Sequence, residues 1–255
     1  MNRVSACIIT LNEEHNLPRL FASLQGIADE IVVVDSGSAD RTEAIAREHR
    51  AAFHFRSWTN YAEQKNHAAS LASHEWILSL DADEELSSAL QSAILDWKKR
   101  KPEYHAYEVA RRTWYLGKWI NHSGWYPDFK TRLYRRDAGR FDGSLHETLQ
   151  FGGPRGCLAG DLLHYTVRTF AEHQEKVEHY STLAAQQMLA NGKRSWRPAI
   201  WFATPWSFLQ NFFLRAGFLD GYRGALISRM AARMVRLKYR KLGQLLAEAA
   251  KRDQQ

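Results

Sequence analysis

The sequence predicts an α/β protein built on a doubly wound, mostly parallel sheet flanked by helices, and three observations carry that reading. Apolar runs of strand length alternate with segments of helical spacing through roughly the first hundred residues. Three of those runs end in polar clusters that bear carboxylates: Thr10 to Glu13, Asp35 to Asp40, and Asp81 to Asp83. The clusters fall at strand ends of the kind where open α/β sheets place ligands.

Val4 to Thr10 is apolar and β-branched, and Leu11-Asn-Glu-Glu-His-Asn16 ends it before Leu17, Leu20, Phe21 and Leu24 recur at helical spacing, with Pro18 in the first turn. Ile31 to Val34 is the second strand, and Asp40 with Glu43 forms a capping-box pattern for a helix through Glu48. Ala52 to Phe55 is the third strand, and Asn60 with Glu63 opens a helix through Ala72. Trp76-Ile-Leu-Ser-Leu-Asp-Ala-Asp83 is a buried strand that ends in two carboxylates, followed by a helix with Leu90, Ile94 and Trp97 on one face. After Pro102 the rhythm changes. Tyr107-Glu-Val109 alternates, Thr131 to Tyr134 reads as a short strand, and Gly139, Gly143, Gly152, Gly153, Gly156 and Gly160 punctuate loops, with Cys157 in a Gly-rich turn. Thr169 with Glu172 begins a helix that stops at Asn191-Gly192.

Composition bounds the rest. At 255 residues, 45 % hydrophobic and 25 % charged, the chain has ordinary globular makeup and no segment that reads as disordered. Cys7 and Cys157 form no disulfide framework or metal spacing, which predicts a reducing, cytosolic compartment. Asn12, Glu13 and Glu14 interrupt the first apolar run, so it does not read as a secretory signal. The net charge is +7, and from Arg229 onward eight Lys or Arg stand against Glu248 and Asp253, which concentrates the excess in the tail. A localised basic excess speaks of a polyanionic partner, either nucleic acid or an anionic membrane. A carboxylate-rich sheet edge argues against nucleic acid. From Pro198 to Leu214 the chain is aromatic but broken by polar residues, too short of the ~20 apolar residues a spanning helix needs. Beside a basic amphipathic helix, it reads as an interfacial anchor; the competing reading is a helical hairpin packed on the catalytic domain or in a homo-oligomer.

The strand-end residues suit phosphate and metal chemistry. Asp81 and Asp83 read as an Asp-x-Asp grip for a divalent cation, Mg²⁺ or Mn²⁺, shared with substrate phosphates, or else as a solvated turn or helix cap. Asp35 suits recognition of a uracil N3 donor, with Thr10 and Asn12 near base or ribose. No Gly-x-Gly-x-x-Gly or Walker sequence occurs, so a nicotinamide or ATP site of the common sort is not indicated.

Together Cys7-Ile-Ile-Thr-Leu-Asn-Glu-Glu14, Val32-Val-Val-Asp-Ser-Gly-Ser-Ala-Asp40 and Leu78-Ser-Leu-Asp-Ala-Asp83 resemble the inverting glycosyltransferase family 2, with its nucleotide-sugar-binding GT-A fold. Trp125-Tyr-Pro-Asp128, Arg132-Leu-Tyr-Arg135, Leu145-His-Glu147 and Phe218-Leu-Asp-Gly221 resemble its lipopolysaccharide-core branch, similar to the core β-1,4-glucosyltransferases. The resemblance implies a nucleotide-sugar half at 1–100, an acceptor and catalytic half at 101–168, and a helical, basic region at 169–255. It implies that Thr10, Asn12, Glu13 and Asp35 bind the nucleotide, that Lys65 and Asp81 lie near the donor, and that Asp83 binds the metal with Asp81. His164 is a further metal candidate, since similar enzymes supply a late His. Glu147 is the expected general base, with Asp128 as runner-up; the competing reading pairs Glu147 with an Arg between Arg132 and Arg140. Trp125, Tyr126 and Arg132 are the expected acceptor contacts, although tryptophans mostly fill cores. The implied function moves a hexose, glucose, from a UDP-linked donor to a lipopolysaccharide-core or other lipid-linked acceptor. The implied place is cytoplasmic, peripheral on the inner face of the membrane. A nucleotidyltransferase would need a Gly-rich basic loop after the first strand, and Leu11 to Asn16 is acidic and lacks glycine. A non-catalytic membrane or polyanion adaptor is the third alternative.

Overall fold

The computed structural model describes residues 1–143 and 147–252, which leaves Leu145 and His146 of the Leu145-His-Glu147 motif outside the described residues. In chain order the elements are β1 (Val4–Thr10), α1 (Leu17–Leu24), β2 (Glu30–Asp35), α2 (Thr42–Glu48), β3 (Ala52–Phe55), α3 (Tyr61–Leu71), β4 (Trp76–Asp81), β5 (Glu84–Leu86) and α4 (Ser88–Lys98). Then come β6 (Ala106–Tyr115), β7 (Lys118–Trp119), β8 (Asp128–Arg135), β9 (Gly139–Asp142), β10 (Thr148–Phe151), β11 (Gly156–Val167), α5 (Phe170–Ala190), α6 (Arg197–Leu209) and α7 (Tyr222–Arg252). A π-helical turn, Gln210–Leu214, and a 3-10 turn, Gly217–Asp220, join the last two helices.

The chain divides into two compact units, residues 1–112 with 128–164, and residues 113–127 with 165–255. In the first, the strand order is β3-β2-β1-β4-β8-β6-β11-β5. The first four strands are parallel, and β8 and β6 continue the sheet antiparallel. The period-2 alternation of the strands serves two helix layers. Val4, Ala6 and Ile8 join Leu17, Phe21, Leu90 and Ile94 in one core, while Cys7, Val32 and Ile77 join Ala62 and Ala68 of α3 in the other.

Two caps follow their sequence signatures: Asn60 accepts from the Glu63 amide, and Thr169 from the Glu172 amide. The Asp40-Glu43 capping box does not form. The helix starts at Thr42, and Asp40 accepts from the Thr42 amide at 2.9 Å, two residues on, as an Asx turn. Gly156, Cys157 and Gly160, expected in turns, lie in the long strand β11. Gly160 has φ +95°, and a Cβ there would fall 2.3 Å from the Leu90 amide nitrogen, so strand and helix backbones meet where only glycine fits.

The second unit is helical. Asp220 of the Phe218-Leu-Asp-Gly221 motif is buried and accepts from the Asn121 and His122 amides at 3.2 and 3.0 Å, which ties the 3-10 turn to residues 121–122. Gly224 lets α7 approach the turn, since a Cβ there would sit 1.8 Å from the Gly217 carbonyl oxygen. Tyr115 donates to or accepts from His173 Nδ1 at 2.8 Å in the core of this unit. No described helix is long and apolar enough to cross a membrane.

Candidate active site

Parallel register sets the site. Thr10 lies opposite Asp35, and Ile9 opposite Asp81, so the carboxyl ends of β1, β2 and β4 finish side by side. Asp35 is buried and accepts from the Gly37 and Ser38 amides at 2.8 and 2.7 Å, from the Ser38 hydroxyl at 2.5 Å and from the Thr10 hydroxyl at 2.7 Å. Those four donors match the roughly four lone-pair sites of a carboxylate. A base that donated to Asp35 would have to displace one of them, and the Ser38 and Thr10 hydroxyls are the ones that can rotate away. Asn12 takes the left-handed conformation, φ 57°, which asparagine tolerates. Its amide donates to Ser38 Oγ and its Oδ1 accepts from the Ala39 amide, while the Glu13 amide donates to Thr42 Oγ1. The two loops are therefore laced together before any ligand arrives.

Beyond them runs a chain of eight alternating charges: Glu147, Lys65, Asp81, Arg132, Glu84, Arg111, Asp128 and Lys130. Lys65 Nζ bridges Glu147 Oε1 at 2.7 Å and Asp81 Oδ1 at 2.8 Å. Arg132 Nη2 bridges Asp81 Oδ2 at 2.7 Å and Glu84 Oε1 in a very short contact. Arg111 reaches Glu84 at 3.7 Å and donates to Asp128 Oδ2 at 2.7 Å, and Lys130 meets Asp128 Oδ1 at 3.0 Å. A cleft of about 380 Å³ opens beside the chain, lined by Lys65, Asp81, Arg111, Arg132 and Glu147 among others.

The electrostatics follow from burial and pairing. Burial disfavours the ionised Asp81, but Arg132 and Lys65 outweigh it and hold the carboxyl well below its ordinary range. Burial and the Asp81 charge raise the Glu84 carboxyl, against the pull of Arg132. For Lys65 burial works against the charge, and Asp81 and Glu147 more than restore it. Asp128 is lowered: burial opposes ionisation, and Arg111 and Lys130 prevail.

Glu84 is the functional residue that motif reading missed. Two residues separate β4 from β5, yet β5 pairs with β11 at the far end of the strand order. Glu84 is fully buried, accepts the Asp81 amide at 2.9 Å, and meets Arg132 of β8 and Arg111 of β6. The signal available was a third carboxylate immediately after Asp-x-Asp.

The segment Gln64-Lys65-Asn66 divides its labour over three loops. Gln64 donates to Ser36 Oγ and the Arg56 carbonyl, Lys65 enters the charge chain, and Asn66 exchanges two 2.9 Å hydrogen bonds with the Phe141 backbone. That clamp ties α3 to β9. The partner of Glu147 is Lys65, not an arginine between Arg132 and Arg140. Arg132, expected to meet the acceptor, is 4 % exposed inside the charge chain, with its Nε lacking a hydrogen-bond partner among the described residues. Trp125 and Tyr126 belong to the second unit, where Trp125 packs edge-on against Tyr115.

Asp83 and His164 meet beside the β5-β11 pairing, Oδ2 to Nε2 at 3.3 Å, with His164 Nδ1 buried and lacking a hydrogen-bond partner among the described residues. This carboxylate and imidazole suit one divalent cation completed by phosphate and water oxygens. Asp81 fits less well, because both its oxygens are already bound to cations. Among the described residues no cluster of three or more His, Cys, Asp or Glu is arranged for a metal.

An α/β sheet with its polar, carboxylate-bearing strand ends in one row has the ligand-binding edge of an open α/β fold. The profile of the family described as glycosyl transferase family 2 matches residues 5–148, and the chain belongs to that family and has its GT-A fold. It is 34 % identical over 244 residues to the lipopolysaccharide core biosynthesis glycosyltransferase LpsC of Rhizobium meliloti (strain 1021), covering 90 % of each chain. It is 30 % identical over 236 residues to an uncharacterized glycosyltransferase of Rickettsia prowazekii (strain Madrid E), covering 88 % of this chain and 81 % of that one. Among solved structures, S. aureus TarS superposes with a TM-score of 0.48 at 15 % identity, over 95 % of this chain and 55 % of that one.

Proposed function

We propose that this glycosyltransferase transfers a hexose, glucose, with inversion from a UDP-linked donor to a saccharide acceptor of the lipopolysaccharide-core or other lipid-linked kind, working as a peripheral protein on the inner face of the cytoplasmic membrane. The observation that carries the reaction is the Glu147 carboxylate, held by buried Lys65 beside the Asp81 strand end and lining the cleft. Glu147 takes the proton from the acceptor hydroxyl as its oxygen attacks the anomeric carbon, and the bond from that carbon to the diphosphate oxygen breaks on the opposite face. Lys65 positions Glu147 and adds positive charge near the leaving group. Asp128 is the weaker candidate, because Arg111 and Lys130 bind both its oxygens and lower its proton affinity.

The uracil N3 donates to Asp35 by displacing the Ser38 hydroxyl, and Thr10, Asn12 and Glu13 shape the pocket around base and ribose. Asp83 and His164 would hold a divalent cation, Mg²⁺ or Mn²⁺, which when bound neutralises charge on the departing diphosphate. The relative LpsC, named for lipopolysaccharide core biosynthesis, supports the acceptor class. The test is to incubate the protein with a panel of UDP-, GDP- and ADP-sugars and measure release of free nucleotide, with and without a lipopolysaccharide-core acceptor. UDP-glucose is expected to be turned over fastest and to be accelerated by the acceptor; turnover confined to a purine nucleotide sugar would overturn the donor assignment.

A further inference from the structure

Helix α6 buries none of its residues, although it is among the most apolar segments of the chain. Trp201 is 78 % exposed and Phe202 76 %, and Trp206, Phe213, Leu214 and Leu219 are also exposed. Trp201, Phe202 and Trp206 fall within one arc of α6, about 100° being the step per residue. That helix is therefore amphipathic with its apolar side turned to solvent, and contiguous apolar surface of this kind marks an interaction site.

The charge around it is one-sided. From Asn191 to Leu219 the only charged side chains are Lys193, Arg194, Arg197 and Arg215, all exposed, and no carboxylate occurs. The next one, Asp220, is buried against residues 121–122. An exposed aromatic face on a segment whose charged residues are all cations is complementary to a surface that is apolar inside and anionic at its rim, which is an anionic lipid bilayer. A second copy of the chain fits less well, because a two-fold contact would set this patch against itself and bring cations onto cations. Pro205 within α6 and the π and 3-10 turns that follow break the segment into short pieces. Short amphipathic pieces lie along an interface.

The basic excess from Arg229 onward, which includes Arg233, Arg236, Lys238, Arg240 and Lys241, is the other source of cations for an anionic surface. The structure engages two of these in helix packing: Lys241 Nζ donates to the Glu178 carboxylate at 2.7 Å and to Ser181 and Thr182 at 2.8 Å, and Arg233 lies 3.6 Å from Glu178. We propose that the outward face of α6 and its following turns docks on anionic lipid, with Trp201, Phe202 and Trp206 inserted among the acyl chains and Lys193, Arg194 and Arg197 at the headgroups. This inference deepens the peripheral-membrane reading above and names its contact face.

The test uses the full chain and sedimentation with phosphatidylcholine vesicles, with and without phosphatidylglycerol. The parent is expected to pellet with the anionic vesicles. Trp201→Ser/Phe202→Ser/Trp206→Ser should lower the partition coefficient by about tenfold or more at every salt concentration, and Lys193→Gln/Arg194→Gln/Arg197→Gln should remove the preference for anionic lipid at low salt. Unchanged nucleotide-sugar hydrolysis reports that each variant is folded. If the parent pellets and the aromatic variant pellets equally well, the face is wrong while peripheral binding stands. If the parent itself stays in the supernatant, the membrane reading falls with it. Should light scattering give a dimer for the parent and a monomer for the aromatic variant, the face is an interface between copies. If the triple variant does not fold, brominated-lipid quenching decides: the quenched share of tryptophan emission should drop in Trp201→Phe/Trp206→Phe, and an unchanged share overturns the inference.

Discussion

At Glu84 a carboxylate without solvent contact accepts the Asp81 amide and the Arg132 guanidinium, so removing it strands two donors at once. Breaking a buried pair by deleting one partner costs about 3–5 kcal/mol. Glu84→Ala should lower the urea-denaturation free energy by that amount, with Glu84→Gln less damaging because it keeps an acceptor for the Asp81 amide; an equal loss in both would mean that the amide contact contributes nothing. At Asp35 the issue is which donor yields to the base. Ser38→Ala should leave UDP affinity in calorimetry nearly unchanged, whereas Asp35→Ala should weaken it by roughly 1.5–3 kcal/mol, the worth of a hydrogen bond to a charged group. A variant order opposite to this would assign the base to Ser38. At Glu147, a glutamine cannot take the acceptor proton. Turnover by Glu147→Gln should fall by about 10² to 10⁴ with nucleotide affinity little changed, while Asp128→Asn retains more activity. The reverse ranking in steady-state kinetics would transfer the role to Asp128.

Within α5 a titratable core group links stability to pH. Burial pushes the His173 imidazole down from 6.5 to about 4 and the Tyr115 hydroxyl up to about 12. His173 is therefore neutral in the folded protein at pH values where the unfolded chain binds a proton. Its contribution is complete above pH 6.5 and is lost as the pH falls from there toward 4, on the order of 3 kcal/mol in all. Thermal melts at pH 7 and pH 4.5 should differ less in His173→Gln than in the parent, since the glutamine takes up no proton. Equal differences would show that His173 is solvated. The three-way use of α3 belongs to the same scale: one helical turn supports the loop after β2 through Gln64, the charge chain through Lys65 and the β9 strand through Asn66.

For the whole molecule, a cation held as proposed by Asp83 and His164 would draw further positions from substrate phosphates and water. Chelation by EDTA should stop hydrolysis of the nucleotide sugar and Mn²⁺ or Mg²⁺ should restore it, with Asp83→Ala remaining inactive under either condition. Full turnover in chelator would remove the cation from the reaction. Thermal stability should change little on chelation in the absence of nucleotide, because Asp83 and His164 by themselves would hold a cation weakly.

The parallel strands, their helices and the row of carboxylate-bearing strand ends were legible because each is a local pattern. Period-2 and period-3.6 spacing reports which residues are apolar, and the caps at Asn60 and Thr169 act over three residues. Local pattern also located Asp35, Asp81 and Asp83 at strand ends. Tertiary structure decided how these groups are used. Lys65 meets Glu147 across 82 residues, and Glu84 meets Arg132 across 48, through the jump of β5 to the far edge of the strand order. No local preference encodes such pairings, since they depend on which strand ends up beside which. The same limit applies to α6. Its sequence declares an apolar face, and only the packed chain shows that this face is turned to solvent, because hydrophobicity specifies what must leave water and not what will cover it.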